Sequence, residues 1–232
     1  MEHLLTVKTN KTVETEVKKN RVITLSIDCV IFGFDVDKLK VLVIKSDYEK
    51  YRNQWSLIGD LVHPQEHLDE AAMRVLHDKT ALEAIYLQQV HTFGDIERHP
   101  AGRVVTVAYC ALINIHHTQL KLKQHGLEWV NYDDIEVMAF DHKVIMQACK
   151  LWLQNKLFTE PIASNLLPKK FSLRALQSLY TAILGEALDR RNFRKKILSL
   201  GYLVDVDQME TNVTHRPGKL YKFEARMQRK VL

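Results

Sequence analysis

The chain has 232 residues, of which 46% are hydrophobic and 26% charged, and its formal net charge is +5. This composition is ordinary for a globular protein, and the length allows one large or two small domains with a hydrophobic core. No apolar run approaches the roughly 20 residues of a membrane-spanning helix, and the polar start of the chain is unlike a signal peptide, so we expect neither a membrane protein nor a secreted one.

The three cysteines, Cys29, Cys110 and Cys149, lie far apart in apolar segments and lack the spacing of metal ligands. Such residues are typical of buried free thiols in a reducing cytoplasm. We therefore expect a cytoplasmic protein, associated with the nucleoid if it binds DNA, that uses no metal and no cofactor.

The charge is unevenly distributed along the chain. Residues 1–158 contain 19 Lys and Arg against 21 Asp and Glu, a net charge of −2, whereas residues 159–232 contain 14 against 7, a net charge of +7. We predict two domains with these boundaries. The excess of positive charge in the second domain indicates that it binds a polyanion.

The chain begins with a polar segment, residues 1–20, which predicts a mobile arm or a short helix without an assigned role. A β-branched strand is predicted over residues 22–34, and its alternation places Asp28 on the same face as Val30 and Phe32. A carboxylate in such surroundings either accepts hydrogen bonds from nearby backbone or contributes to a ligand pocket. Both alternatives are open at this point.

A hairpin turn at residues 35–38 leads into a second strand over residues 39–45, which ends at Lys45. After a polar loop, residues 55–82 combine a strand end at Trp55, a turn at Gly59-Asp60, an extended piece and an amphipathic helix. Three- and four-residue spacing predicts the buried face of this helix, formed by Leu68, Ala71, Ala72, Val75 and Leu76.

The segment resembles the Nudix box, in which a glycine begins a loop–helix–loop and carboxylates on the helix hold Mg²⁺ against a diphosphate. Aligned on Glu66 and Arg74, the first glycine falls on Asp60 and the closing glycine on Ala81. The three helix glutamates fall on Val75, Asp78 and Lys79. Since two of the three carboxylates are missing and the third is shortened, we predict a Nudix fold that is not an enzyme.

Beyond the box the pattern predicts strands over residues 86–93, 104–115 and 127–130 and a helix over residues 141–156. The segment FGDIERHPAGRVVTVAY is similar to the one that follows the box in ADP-ribose-type Nudix proteins and in Nudix-related transcriptional regulators. It carries Arg98, His99 and Arg103 in a loop. These side chains either grip an anion or sugar hydroxyls, or are surface charges.

The two-proline segment TEPIASNLLPKK, residues 159–170, predicts a linker. Ser172 then offers a helix N-cap, and the helix that follows is closed by Gly185. Asp189 caps a second helix that is basic in its first half, and two strands around a polar tip follow. This is the order of a winged helix-turn-helix, although a solvated basic face is the alternative for any basic helix.

The C-terminal half also resembles the matching domain of the Nudix-related transcriptional regulators, in FSLRALQSLYTAILGEALDRRNFRKKILSLGYL and in HRPGKLYKF. The implied fold class is α+β, an N-terminal Nudix-like α/β/α sandwich with a C-terminal winged helix-turn-helix domain. The resemblance implies a homodimer on near-palindromic operator DNA. The candidate DNA-binding residues are Arg174, Arg190, Arg191, Asn192, Arg194, Lys195, Lys196, His215, Arg216 and Lys219.

The resemblance allows two classes of small-molecule effector, ADP-ribose-like nucleotides that control NAD metabolism and pentoses such as arabinose. A diphosphate without Mg²⁺ needs compensating cations, whereas a sugar needs only hydrogen-bonding groups, so the sequence favours a pentose and a repressor of sugar-utilisation genes. The candidate effector-binding residues are Asp28, Lys45, Trp55, Arg98, Arg103 and Tyr109. The alternatives are the nucleotide-sensing regulator, a weak hydrolase with metal on Glu66 and Asp78, and a protein-interaction scaffold.

Overall fold

The computed structural model describes residues 23–82, 85–116 and 126–224. The segment 1–20, for which an arm or a short helix is predicted, lies outside the described residues. The described strands are β1 (Thr24–Asp35), β2 (Lys38–Lys45), β3 (Trp55–Ser56), β4 (Ile58–Leu61), β5 (Tyr86–Phe93), β6 (Val104–Ile113), β7 (Leu127–Asn131), β8 (Phe171–Ser172), β9 (Leu203–Met209) and β10 (Lys219–Phe223). The α-helices are α1 (Leu68–Thr80), α2 (His142–Lys156), α3 (Leu173–Leu184) and α4 (Arg190–Ser199).

Strand β1 organises the N-terminal sheet. It pairs antiparallel with β2 and β4 and parallel with β6, and the sheet runs in the order β3-β2-β1-β6-β5, with β7 paired to β2. Its alternation separates two cores, because Ile27 packs towards α1 whereas Val30 packs towards α2. Helices therefore cover both faces of the sheet, and the predicted α/β/α sandwich is confirmed.

The turn predicted at Gly59-Asp60 is wrong, because both residues belong to β4 and pair with β1. Gly59 lies opposite Asp28, and a Cβ atom added to Gly59 would lie 2.4 Å from Asp28 Oδ1. Glycine is thus needed at this position because a side chain would collide with the buried Asp28 carboxylate, and not because the chain turns there.

The C-terminal domain has the predicted helix-turn-helix and wing. Ser172 Oγ accepts a hydrogen bond from Ala175 N at 3.3 Å, and α3 ends at Gly185, whose φ is +79°. Asp189 Oδ1 accepts from Asn192 N at 2.8 Å at the start of α4. Strands β8, β10 and β9 form a three-stranded sheet, in which β9, β10 and the connecting residues 210–218 are the wing.

The linker predicted over residues 159–170 is a packed connection. Residues 162–165 form a 3-10 helix, and Leu166 is fully buried with Ala163. Its side chains join a core that runs without interruption from the α2 face of the sheet into the interior of the winged helix. The apolar residues Ile162, Ala163, Leu166 and Leu167 are buried, so packing holds the segment in place and it is not a flexible linker.

Three polar contacts hold the winged helix to the end of α2. Gln154 Nε2 donates to Ile183 O at 2.9 Å, Tyr180 Oη donates to Leu157 O at 2.6 Å, and Tyr202 Oη donates to Thr159 O at 3.0 Å. The first two contacts satisfy carbonyls at helix ends, which lack partners within their own helices. Among the described helices, none is long and apolar enough to cross a membrane.

Candidate effector site and nucleic-acid interface

A cavity of about 220 Å³ opens where β1 and β4 meet the loop of residues 94–103 and the start of α2. We call it the effector cavity. It is lined by Ser26, Asp28, Ser56, Leu57, Gly59, Asp60, Leu61, Arg98, His99, Val104, Phe140 and His142.

A buried ion pair forms one wall of the effector cavity. Arg98 Nε donates to Asp141 Oδ2 at 2.8 Å and Arg98 Nη2 to Asp141 Oδ1 at 2.7 Å, a bidentate contact. Asp28 Oδ2 lies 3.6 Å from Arg98 Nη2, and both side chains are more than nine-tenths buried. Asp28 is therefore a cavity residue beside a guanidinium, and Arg98 is not a surface charge.

His142 is the cavity residue that the sequence analysis missed. Its Nδ1 accepts a hydrogen bond from Leu57 N at 3.0 Å, which requires an unprotonated Nδ1. Nε2 therefore carries the proton and lies 3.6 Å from Asp28 Oδ1. Burial lowers the pKa of His142, outweighing the opposite effects of Asp28 and Asp141. A signal was available, because His142 precedes Ile145 on the buried face of α2 at helical spacing.

Aromatic rings close the cavity beside this polar wall. The rings of His99 and Phe140 stack with centroids 4.8 Å apart and planes 9° apart. Tyr51 lies 4.6 Å and Tyr48 5.4 Å from Phe140 by ring centroids. Phe140 has a φ of +53°, a conformation that costs a non-glycine residue energy and persists only where its surroundings impose it.

Of the six predicted effector residues, Asp28 and Arg98 line the effector cavity, and the other four do not. Lys45 Nζ lies over the Trp55 ring, 3.1 Å from its centroid. Arg103 Nη1 donates to the carbonyls of Gly94 and Asp95 and so fixes the loop. Tyr109 packs in the core on the α1 face of the sheet and donates to Asp69. A role in effector binding for these four residues stays a prediction.

The Nudix box keeps its scaffold but not its donor set. Arg74 makes a bidentate ion pair with Glu66, at 2.9 Å from Nε and 2.8 Å from Nη2. This contact lowers the pKa of Glu66 to about 2. Ala81, at the position of the closing glycine, has a φ of +57°, so the left-handed turn after α1 is retained.

The residues present do not fit the Mg²⁺ that the Nudix box implies. Val75 is buried in the core and offers no oxygen, and Lys79 carries a positive charge. Asp78 is more than half exposed and lies 3.6 Å from His77. Within the described parts of the chain, no group of three His, Cys, Asp or Glu side chains could hold a metal ion.

A second, larger cavity of about 590 Å³ lies between α3, α4 and the wing. We call it the basic groove. Six of the ten predicted DNA-binding residues line it, namely Arg174, Arg190, Arg194, His215, Arg216 and Lys219. The acidic side chain of Glu210 also lines the groove. Lys219 Nζ lies 2.9 Å from Asp205 Oδ2, which lowers the pKa of Asp205.

The other four predicted DNA-binding residues lie elsewhere on α4. Arg191 and Lys195 are exposed on the face opposite the buried Phe193. Lys196 Nζ lies 3.5 Å from the centroid of the Phe158 ring, at the contact with the end of α2. Asn192 provides the backbone N–H that Asp189 caps.

Comparisons with known proteins agree with this geometry. The Nudix domain family matches residues 23–149, and the NrtR DNA-binding winged helix domain family matches residues 163–223. The chain is 33% identical over 205 residues to the ADPR responsive transcriptional repressor NtrR of Acinetobacter baylyi, covering 86% of this chain and 81% of that protein. The chain therefore belongs to the family of Nudix-related transcriptional regulators.

One solved structure matches most of the chain, and another matches its Nudix part. NrtR of Shewanella oneidensis complexed with a 27mer DNA superimposes with a TM-score of 0.76 at 27% identity, covering 86% of this chain and 93% of that chain. The Nudix domain of the same protein complexed with ADP ribose gives a TM-score of 0.52 at 25% identity, covering 63% of this chain and 99% of that chain.

The neutral state of His142 predicts a pH-dependent stability. Because the pKa of His142 is lowered in the folded protein, its contribution is complete above the unfolded pKa of about 6.5 and is lost as the pH falls towards the folded pKa. Between pH 6.5 and 5, His142→Asn should flatten the fall in unfolding free energy by up to about 1.4 kcal/mol per pH unit. Urea unfolding across pH 5–7.5 measures this, and the exposed His91→Asn is the control. An unchanged slope in His142→Asn would contradict a buried neutral imidazole.

Proposed function

We propose that this family member is a transcriptional repressor that binds operator DNA through the basic groove and responds to ADP-ribose, or to a nucleotide that contains it, in the Nudix domain. The observation that carries the proposal is the presence of the effector cavity and the basic groove in one chain, joined by one continuous core. The repressor function follows the relative from Acinetobacter baylyi, which is named as an ADPR responsive transcriptional repressor.

Charge and shape support the DNA-binding half of the proposal. Four arginines and one lysine line the basic groove, between the second helix of a helix-turn-helix and a wing. Phosphate contacts from such side chains supply sequence-independent affinity, and side chains of the helix in the major groove read base edges. The Shewanella oneidensis relative was crystallised with a 27mer DNA, in support of the same use here.

The preference for a pentose finds no support, and the nucleotide alternative fits better. The relatives are named for ADP-ribose, and none of those described above for arabinose or carbohydrate use. The preference rested on the lost carboxylates of α1, and so assumed that a diphosphate must bind there through Mg²⁺. The effector cavity lies instead at β1, β4 and α2, and no residue of α1 lines it. The loss of metal ligands on α1 is therefore no argument against a nucleotide in this cavity.

We further propose that the protein acts as a homodimer and that α2 links the two sites. Asp141 at the start of α2 holds Arg98 of the effector cavity, and Gln154 near its end bonds to the last carbonyls of α3. A shift of α2 would therefore move the helix-turn-helix as a unit. Effector binding would then rotate the two winged helices of the dimer and mismatch half-sites that repeat at about 34 Å.

Because Arg194 lines the basic groove and Lys196 does not, we predict that replacing each by alanine has a different effect on DNA affinity. Arg194→Ala should weaken operator binding by about 1–3 kcal/mol if Arg194 reads a base. Lys196→Ala removes the same charge from the same helix but from the contact with Phe158, and should weaken binding much less. Fluorescence anisotropy with operator and with scrambled DNA at two salt concentrations measures both. Equal losses from the two variants would place α4 differently on the DNA.

The altered box predicts that the protein is not a hydrolase. Purified protein should not convert ADP-ribose to AMP above background with Mg²⁺ or Mn²⁺, because Val75 and Lys79 cannot bind a cation and Arg74 holds Glu66. Chromatographic detection of AMP tests this. AMP formation that disappears in Asp78→Ala would instead establish the weak hydrolase.

The link through α2 predicts a reciprocal coupling between the two ligands. Operator DNA should weaken ADP-ribose binding by the same factor as ADP-ribose weakens operator binding, typically about 5–150-fold. Gln154→Ala removes the bonds to α3 and should bring this factor closer to one, whereas the exposed Gln147→Ala should leave it unchanged. Isothermal titration of ADP-ribose with and without operator gives the factor. Equal affinities in the two titrations of the wild type would show that the Nudix domain does not control DNA binding.

A further inference from the structure

We propose that the effector cavity binds the uncharged, hydroxyl-bearing end of the effector, the terminal ribose of ADP-ribose, and excludes phosphate. This inference rests on the proposed function, because it assigns one part of the proposed effector to one site. It commits Asp28 and His142 to contacts with ring hydroxyls and leaves the diphosphate and the adenosine outside the cavity.

The first argument is size. The effector cavity holds about 220 Å³, less than the roughly 300–1,000 Å³ of sites that enclose a whole drug-sized ligand. ADP-ribose is larger than an ordinary drug-sized ligand, so only one end of it can enter. The candidates are therefore a phosphate group, the adenine base and the terminal ribose.

The second argument is charge, and it excludes phosphate. Asp28, Asp60 and Arg98 line the cavity, so two acidic side chains stand against one basic side chain. Arg98 is already neutralised by the bidentate contact with Asp141, and Asp60 has Arg74 at 3.1 Å. Asp28 and Asp141 thus share the one guanidinium of Arg98, at 3.6 Å and 2.7 Å, which leaves two acids against one base in a buried wall. A further negative charge from a phosphate is unfavourable there.

The third argument is the shape of the aromatic wall, which disfavours the base. A purine needs an open ring face on which to stack. The Phe140 ring is covered by the stacked imidazole of His99 and by Tyr51, whose centroid is 4.6 Å away. A purine could therefore stack on Phe140 only by displacing one of these two rings.

The remaining groups match a ring that carries hydroxyls. Asp28 offers carboxylate oxygens that accept hydrogen bonds, and His142 Nε2–H, 3.6 Å from Asp28 Oδ1, is a donor beside them. A pair of neighbouring hydroxyls can donate to the carboxylate and accept from the imidazole. Gly59 makes room for the Asp28 carboxylate, because a Cβ atom on residue 59 would lie only 2.4 Å from Asp28 Oδ1.

The test compares ADP-ribose with ADP, which ends in a phosphate where ADP-ribose continues to the ribose. Isothermal titration of the wild-type protein, without DNA, should give at least a tenfold higher affinity for ADP-ribose. In Asp28→Asn, which keeps the shape and removes the charge, this ratio should fall at least tenfold through weaker binding of ADP-ribose. Asp37→Asn, which removes an exposed acid from the turn between β1 and β2 and does not line the cavity, should keep the wild-type ratio.

The possible outcomes separate this inference from the proposed function. Equal binding of ADP-ribose and ADP by the wild type overturns the ribose assignment, while a nucleotide effector stands. An unchanged ratio in Asp28→Asn overturns it as well. Binding of neither nucleotide by the wild type overturns both the proposed function and the assignment. The wild-type ratio needs no variant, so the assignment can fail even if Asp28→Asn does not fold.

Discussion

The buried ion pair between Arg98 and Asp141 is the contact on which the arrangement of the effector cavity depends. It ties the loop of residues 94–103 to the first turn of α2, 43 residues later in the chain. Both partners are largely removed from water, so loss of either leaves an uncompensated charge, at a cost of about 3–5 kcal/mol in comparable buried pairs. The pair holds the start of α2 in place, and with it His142 beside Asp28.

Much of the fold was predictable because its signals are local. Alternation identified the two faces of β1, and helical spacing identified the buried sides of α1 and α3. The eight-residue spacing of Glu66 and Arg74 predicted a box that the structure closes by a direct ion pair. The packed connection at residues 162–167 was not predicted, since its prolines suggested a linker while its buried apolar residues depend on a core formed elsewhere.

The effector cavity was harder to predict because its members meet only through long-range pairing. Asp28 and Arg98 were identified from their chemistry, yet nothing local shows that Arg98 points inward, since its partner Asp141 is a helix-start residue in a different segment. Tyr109 was a candidate because it is a polar residue in a central strand. Its position in β6, paired with Cys29, puts it on the α1 face, opposite Asp28. A shift of one residue along a strand moves a side chain to the opposite face of the sheet.

The altered box and the shared core both bear on the proposal that the protein senses a nucleotide and does not hydrolyse it. Arg74 binds both Glu66 and Asp60 and so ties α1 to the strand and loop that precede it. A ligand shifts an equilibrium only if it binds two states with different affinity. The winged helix is packed on α2 and is not tethered by a flexible linker, so the two states of the proposed mechanism would differ by small movements within a packed unit. Because packed interiors resist gradual deformation, such movements would be transmitted to α4 and would not be absorbed between the domains.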